Sequence, residues 1–386
     1  MNTMKLNLKK TLVAFGVLGA FSVAAHAQSS VTLYGSLDVG LLYVNNWQGH
    51  SNWLENSSTL SNTYFGLRGA EDLGGGNKAI FRLESGFDLT NGGFAGNGLF
   101  NRQAYVGLQS KDYGTLTLGR QYDSVVDYLS PLSLAGQAGG VNVAAHPLNN
   151  DNIGAQYSIA NAVKYESINY SGFHFGSLYG FSNQAGGFAN GRAWSVGAGY
   201  SNGPLTIAAA YDQSNDDPNG VANTGGAVVV PQGASLQRTY GVGANYAFGP
   251  GTVGVLWTQT QLQNTNLAGA NLPLDARFDN IELNGTYGLM PGLALVGEYT
   301  YTWGKTSGSG TESSSPEWHS VTLGVDYSLS KRTDLYFAGV YQHAAGDIYN
   351  DGQGYVLNNS TSIAGLLPAS STPNQVGVAA GMRHRF

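Results

Sequence analysis

The charged residues of this 386-residue chain are few, 11% of the total, and several sit two positions apart. Lys78, Arg82 and Glu84 share one parity, and Asp38 shares one with Tyr34 and Ser36. On an extended strand, side chains two apart stand on one face. A row of fixed charges on one face either steers ions or braces a wall, and Lys78, Arg82 and Glu84 suit both readings. Bond-breaking chemistry has less to work with. The histidines beyond the first 27 residues (His50, His146, His174, His319, His343 and His384) are scattered, and neither G-x-S-x-G nor H-E-x-x-H occurs. The "GKT" at 304–306 would need glycine at 299 to close a phosphate loop, and that position is Tyr299. Asp212, Asp216 and Asp217 could gather around calcium, but the glycine placement fails the EF-hand pattern, so they read as a solvated acidic loop. The expectation is a non-enzyme that needs no cofactor and no metal.

The elements that carry these charges alternate with period two. In "VTLYGSLDVGLLYV", Val31, Leu33, Leu37, Val39 and Leu41 take one face, and Thr32, Tyr34, Ser36 and Asp38 the other. Sixteen such runs are expected: 30–43, 59–70, 77–89, 99–110, 115–122, 159–169, 173–184, 192–201, 204–213, 236–247, 252–261, 277–288, 293–303, 317–328, 333–343 and 375–386. Tight turns such as "KDYG", "NGP" and "LMPG" alternate with long polar connections such as 44–58 and 344–374. Short on one side, long on the other, with an even strand count, describes a transmembrane β-barrel. Sixteen strands enclose a channel too wide for side chains to fill, so the apolar face turns outward to lipid and the polar face inward to water.

The ends of the chain fit this reading. Residues 1–10 carry Lys5, Lys9 and Lys10, 11–24 are apolar, and "AHAQ" follows, which reads as a signal peptide 1–27 cut after Ala27. Without it, 15 basic residues face 24 acidic ones, a net charge of −9, which disfavours nucleic acid. In "QVGVAAGMRHRF", Val376, Val378, Met382, His384 and Phe386 share the outward face and Arg383 and Arg385 the watered one. Phe386 then ends the last membrane strand in an aromatic girdle. That strand must pair with the first, because an open edge in lipid leaves backbone groups unsatisfied. Arg102 shares parity with Val106 and Leu108, which puts it at the outer rim unless a bulge turns it inward.

"SSVTLYGSLDVGL", "FGLRGAEDLGGGNKAIFRLESGF", "NRQAYVGLQSKDYGTLTLGRQYD", "NAVKYES" and the terminal Phe together resemble the general porins of Gram-negative outer membranes, β-proteobacterial type. The resemblance implies an all-β fold, a sixteen-stranded antiparallel transmembrane barrel over 28–386, usually a homotrimer in outer-membrane lipid. It implies passage of small hydrophilic solutes and ions. It also implies a third external loop, here 123–158, folded into the barrel as a constriction, and a terminal Phe386 that marks the chain for assembly. Carried over residue by residue, Arg68 and Arg120 are wall arginines. Arg82, Glu84, Asp38 and Tyr64 belong to the same lining, and Asp123 and Asp127 open the loop. Relatives carry a basic residue where this chain has Tyr64 and, in the strand after the loop, Ser158. The charge clamp is therefore thinned, and a weak cation preference is expected from Asp38, Glu84, Glu298, Asp326 and the net charge. The alternatives are a solute-specific channel and a surface adhesin or phage-receptor barrel.

Overall fold

The computed structural model describes residues 30–386 apart from 97, 138–141, 216–233, 266–273, 309–312, 347–360 and 366. The expected signal peptide with Ala27, and Asp216 and Asp217, lie outside them. The described chain is a ladder of antiparallel strands. They are β1 (Ser30–Trp47), β2 (His50–Ser57), β3 (Tyr64–Gly74), β4 (Asn77–Gly86), β5 (Gln103–Ser110), β6 (Gly114–Gln121), β7 (Ile159–Glu166), β8 (Phe173–Gly180) and β9 (Ala193–Asn202). There follow β10 (Leu205–Asn215), β11 (Leu236–Phe248), β12 (Gly251–Thr265), β13 (Leu274–Met290), β14 (Leu293–Gly308), β15 (Pro316–Ser328), β16 (Thr333–Gly346) and β17 (Asn374–Arg385). Except for β2 and β3, each pairs with its sequence neighbour, and β17 returns to β1. β2 and β3 lie end to end along one edge of β1, so seventeen strands fill sixteen positions of a closed barrel.

The connection expected at 44–58 is itself a hairpin. β1 runs on to Trp47, and Gln48 and Gly49 turn with φ of 52° and 99°. Positive φ at both central residues is the type I′ turn, whose twist matches the flanking strands and for which glycine is favoured. The break between β2 and β3 is held from below. The Asp38 carboxylate accepts the backbone N–H groups of Leu60 (3.2 Å) and Ser61 (3.1 Å) and the Tyr336 hydroxyl (3.1 Å).

Face alternation follows the inverted pattern. Val31, Leu33, Leu41, Val106, Leu108, Leu116, Leu118, Leu283 and Leu323 are exposed, and Ser36, Asp38, Glu84, Thr117, Asn280 and Glu282 are buried. A soluble barrel would reverse this. The exposed apolar row costs nothing against acyl chains, and the inward polar row finds water or partners.

Closure depends on the last residue. Gly35 N–H donates to the Phe386 carbonyl (3.2 Å), and Phe386 N–H donates to the Gly35 carbonyl (3.1 Å). The Phe386 ring lies on the outer face of Gly35, where a Cβ would come within 2.6 Å of ring atom Cζ and 2.5 Å of the Tyr64 carbonyl oxygen. Beside it, Arg383 does not face open water as its parity suggested. It is buried, bonded to Asp326 (2.9 Å) and Asp334 (3.0 Å), and Arg385 shares Asp334 (2.9 Å). The seam thus joins β15, β16 and β17 by charge and β17 to β1 by backbone. Deleting Phe386 removes two hydrogen bonds of about 1 kcal/mol each together with the ring contact. We expect slower refolding into vesicles and a lower temperature for loss of the heat-modifiable gel form; wild-type values for both would contradict this account of closure.

Candidate pore constriction

The described residues between β6 and β7 pack against the polar face of the wall. The segment begins with a single wide π-helical turn, Val125–Leu129, continues through 3₁₀ turns at Ser130–Leu132, Asn142–Ala144 and Pro147–Asn149, and buries Val125, Leu129, Leu132, Leu134 and Ile153. Its partners lie on the wall face opposite the exposed apolar residues. Leu134 N–H donates to Glu282 (2.7 Å), and the Asn284 side chain donates to the Leu132 carbonyl (2.9 Å), both on the β13 face that alternates with exposed Ile281 and Leu283. Wall glycines make the room. A Cβ at Gly197 would meet the Tyr128 ring at 2.4 Å, and one at Gly241 would meet Leu129 at 3.0 Å.

Asp123 is part of the loop's frame. It is buried, accepts the N–H groups of Val125 (2.7 Å) and Val126 (3.0 Å), and takes the Asn152 side-chain amide (3.2 Å), which ties the loop's two ends together. Burial pushes its carboxyl up from the usual range. A second tie joins the loop to the wall. His146, fully buried, meets Asp151 through Nδ1 (2.6 Å) and Glu282 through Nε2 (3.1 Å). Asp151 also accepts the Thr258 hydroxyl of β12 (2.5 Å). Burial works against charge on the imidazole, but the two carboxylates outweigh it and hold the His146 pKa well above its ordinary value. Burial would likewise raise Asp151, and the imidazolium overrides it and lowers the carboxyl. With both ring nitrogens and both acids enclosed, the group clamps the loop and has no room for a substrate.

Across the lumen stands a ladder of arginine and tyrosine. Register places Thr32 of β1, Arg68 of β3, Arg82 of β4 and Tyr105 of β5 side by side. Arg68 and Arg82 both lie over the Tyr34 ring, at 5.0 and 5.5 Å from its centroid. Glu84 accepts the Tyr34 hydroxyl (2.9 Å) and pairs with Arg102 Nε (2.7 Å), and Arg102 in turn lies over Tyr64 (4.9 Å) and Tyr122 (5.6 Å). Arginine over an aromatic face keeps its charge while losing rotamer freedom to the stack. Below the loop, Asp127 pairs with Lys164 of β7, and the Tyr128 hydroxyl donates to Glu166 (2.8 Å). Burial raises the Asp127 pKa, and Lys164 opposes that rise. Arg82, Gln103, Tyr105, Asp127, Lys164 and Glu166 line a pocket of about 300 Å³ beside the loop.

Besides Arg383, placement differs from the sequence expectation at four residues. Arg102 faces inward, because it precedes β5 and its parity does not govern it. Arg120 pairs with Ala104 and shares a parity with exposed Leu116 and Leu118, so it belongs to the outward side, and its guanidinium bonds the Ser158 carbonyl (3.3 Å) and hydroxyl (3.4 Å). Asp38 and Asp123 point inward but are covered, and their oxygens are taken up by backbone N–H groups. Lys164 and the His146 clamp went unseen. Lys164 had a signal, its strand parity beside Thr117. The clamp had none, since His146 and Glu282 are 136 positions apart.

Residues 13–347 match the family profile described as Gram-negative porin. The chain is a Gram-negative porin. This porin is 32% identical to an outer membrane porin protein of Bordetella pertussis, over 98% of its own length and 100% of that protein's. It is 30% identical to "Outer membrane porin protein 32" of Delftia acidovorans, with the same coverage. Among solved structures it resembles the "Anion-selective porin from Comamonas acidovorans", with a TM-score of 0.69 and 25% identity over 93% of this porin and all of that chain. It is an outer-membrane channel, a water-filled barrel for passive diffusion, and its family and fold are those of a channel.

Two outcomes follow from the geometry. Arg82→Gln should lower the anion-to-cation permeability ratio about twofold in dilute salt, whereas Arg120→Gln should leave it unchanged, because only charges facing the permeating ion act on it unscreened. A larger shift for Arg120→Gln in reversal-potential measurements would reverse that assignment. The clamp has a pH signature. The raised His146 pKa adds stability that is complete below its unfolded value near ~6.5 and lost as pH rises through the folded value. The lowered Asp151 pKa adds stability complete above ~3.9 and lost as pH falls. Loop anchoring should be strongest between those values and loosen with alkali, seen as growing open-channel noise. His146→Ala, which strands two buried acids at a cost of about 3–5 kcal/mol, should be noisy at every pH. Noise that is flat with pH in the wild type would refute the clamp.

Proposed function

We propose that this porin is a general diffusion pore with a weak anion preference set by Arg68 and Arg82. The observation that carries it is the asymmetry of pairing inside the barrel. The acids that argued for cations are engaged: Glu84 with Arg102, Asp326 with Arg383, Asp38 with backbone N–H groups, and Glu298 with Thr300 (2.8 Å) beneath the loop. Arg68 and Arg82 lie over an aromatic ring, with Arg68 exposed to the channel. Arg82 lines the pocket beside the loop with Asp127 and Glu166, whose charge Lys164 offsets, and the Comamonas relative, described as anion-selective, supports the same sign. This replaces the weak cation preference expected from net charge, which counted acids without their partners. Asp123 and Asp127 act as loop frame and Lys164 partner, Tyr64 as the platform for Arg102. We further propose a homotrimer, a signal peptide removed after Ala27, and Phe386 as the assembly signal; a Vibrio cholerae outer membrane protein similar in fold has a trimer form.

Planar-bilayer recording tests this reading. In a dilute potassium chloride gradient the reversal potential should indicate an anion preference of about twofold that fades as salt rises and the Debye length shortens. Conductance should rise linearly with salt, and added sugars should not block it saturably. A cation preference would sink the arginine assignment, and saturable block by one solute would favour a solute-specific channel.

A further inference from the structure

A preference for one sign of charge does not say what the pore does with a solute that carries both. The pocket beside the loop has four charged groups, and they balance: Arg82 and Lys164 against Asp127 and Glu166. Their pairing does not. Lys164 makes its short contact with Asp127 and stands 3.6 Å from Glu166, too far for a hydrogen bond. One lysine can neutralise only one of the two acids. Among the described residues no carboxylate pairs with Arg82, whose guanidinium lies over the Tyr34 ring instead. One unmatched cation and one unmatched acid therefore remain, on different strands lining one cavity.

Register keeps the two apart. Arg82 of β4 faces Tyr105 of β5, Tyr105 faces Gly119 of β6, and Gly119 faces Ala162 of β7. Glu166 lies further along β7, opposite Thr115 and beside the short turn that ends at Gly114. Three strand spacings amount to about 14 Å, and the step from Ala162 to Glu166 adds about 14 Å along the strand, so the two backbones are on the order of 20 Å apart. The long side chains of arginine and glutamate close roughly half of that. What remains suits a solute of a few heavy atoms with an anionic end and a cationic end. The cavity of about 300 Å³ agrees, since it is at the small end of ligand pockets.

Glu166 is held in place for such a contact. The Tyr128 hydroxyl of the loop donates to its Oε2 (2.8 Å), while 34% of the side chain stays open. Gly176 of β8 leaves it room, because a Cβ there would come within 2.5 Å of Oε1. The His174 ring stacks on Tyr128 at 5.4 Å and extends the cavity wall. On the strands between the two charges, Gln103 and Tyr105 of β5 and Thr117 of β6 add neutral hydrogen-bonding groups. A solute that is only an anion gains at Arg82 and is repelled at Glu166, and one that is only a cation meets the reverse. A solute with a carboxylate and an ammonium group a few bonds apart gains at both, through charge-assisted hydrogen bonds.

We propose that this pocket is a station for small zwitterions, the α-amino acids above all, with the carboxylate on Arg82 and the ammonium group on Glu166. It rests on the general-diffusion reading above and adds a solute class to it. The station raises the local concentration of zwitterions in the pore and so speeds their passage, whereas neutral solutes pass by size alone. The test uses the full chain reconstituted into liposomes, with swelling followed in isosmotic L-glutamine and in ribitol, a neutral solute of similar size. Wild-type protein should admit glutamine at least about threefold faster than ribitol. Glu166→Gln and, separately, Arg82→Gln should each bring that ratio down to about one, with ribitol swelling and heat-modifiable mobility showing that a channel has formed. Equal wild-type rates for the two solutes overturn the proposal whether or not the variants fold. A folded variant that keeps the wild-type ratio also overturns it. Failure of the wild type to swell in ribitol would instead count against the channel reading itself.

Discussion

Everything in this molecule follows from one requirement: no backbone N–H or C=O can face hydrocarbon unpaired. Each such group left open costs several kcal/mol, so a sheet in lipid must close on itself. Here closure falls to Gly35 and Phe386, which exchange both their hydrogen bonds, and to a glycine without the Cβ that would collide with the phenyl ring. Once the seam is shut, alternation along every strand sorts apolar residues to lipid and polar residues to the lumen without any further instruction.

A sixteen-position barrel is too wide to fill with wall side chains, which leaves space that one segment of the chain must take up. The segment after β6 does so, and the wall is shaped to receive it through Gly197 and Gly241. Filling the lumen changes the status of inward charges. An acid that would have faced water becomes a buried acid, and a buried acid needs a partner. Asp123 finds backbone amides, Glu282 and Asp151 find His146, and Asp127 finds Lys164. What remains open to solutes includes the arginines stacked on Tyr34, and the proposed anion preference rests on them rather than on net charge.

Sequence alone was sufficient for whatever obeys period two. Sixteen runs, the inverted polarity, the closing role of Phe386 and the inward side of Arg68, Arg82 and Glu84 all derive from alternation, which is local and survives any tertiary arrangement. The boundaries were close too: 293–303 became Leu293–Gly308 and 375–386 became Asn374–Arg385. The failures have separate causes. Arg102 stands outside its strand, and 44–58 looked like an irregular connection because its polar strand residues lacked an apolar face to betray them. Arg120 was placed on the wall by likeness to a family position, against the parity of its own strand. Tertiary structure alone decided which charges meet. His146 with Glu282, Arg383 with Asp326 and Tyr34 with Glu84 lie 136, 57 and 50 positions apart, and no pattern along the chain encodes such pairs, because they arise only when a closed barrel brings distant strands and an inserted loop into one enclosed volume.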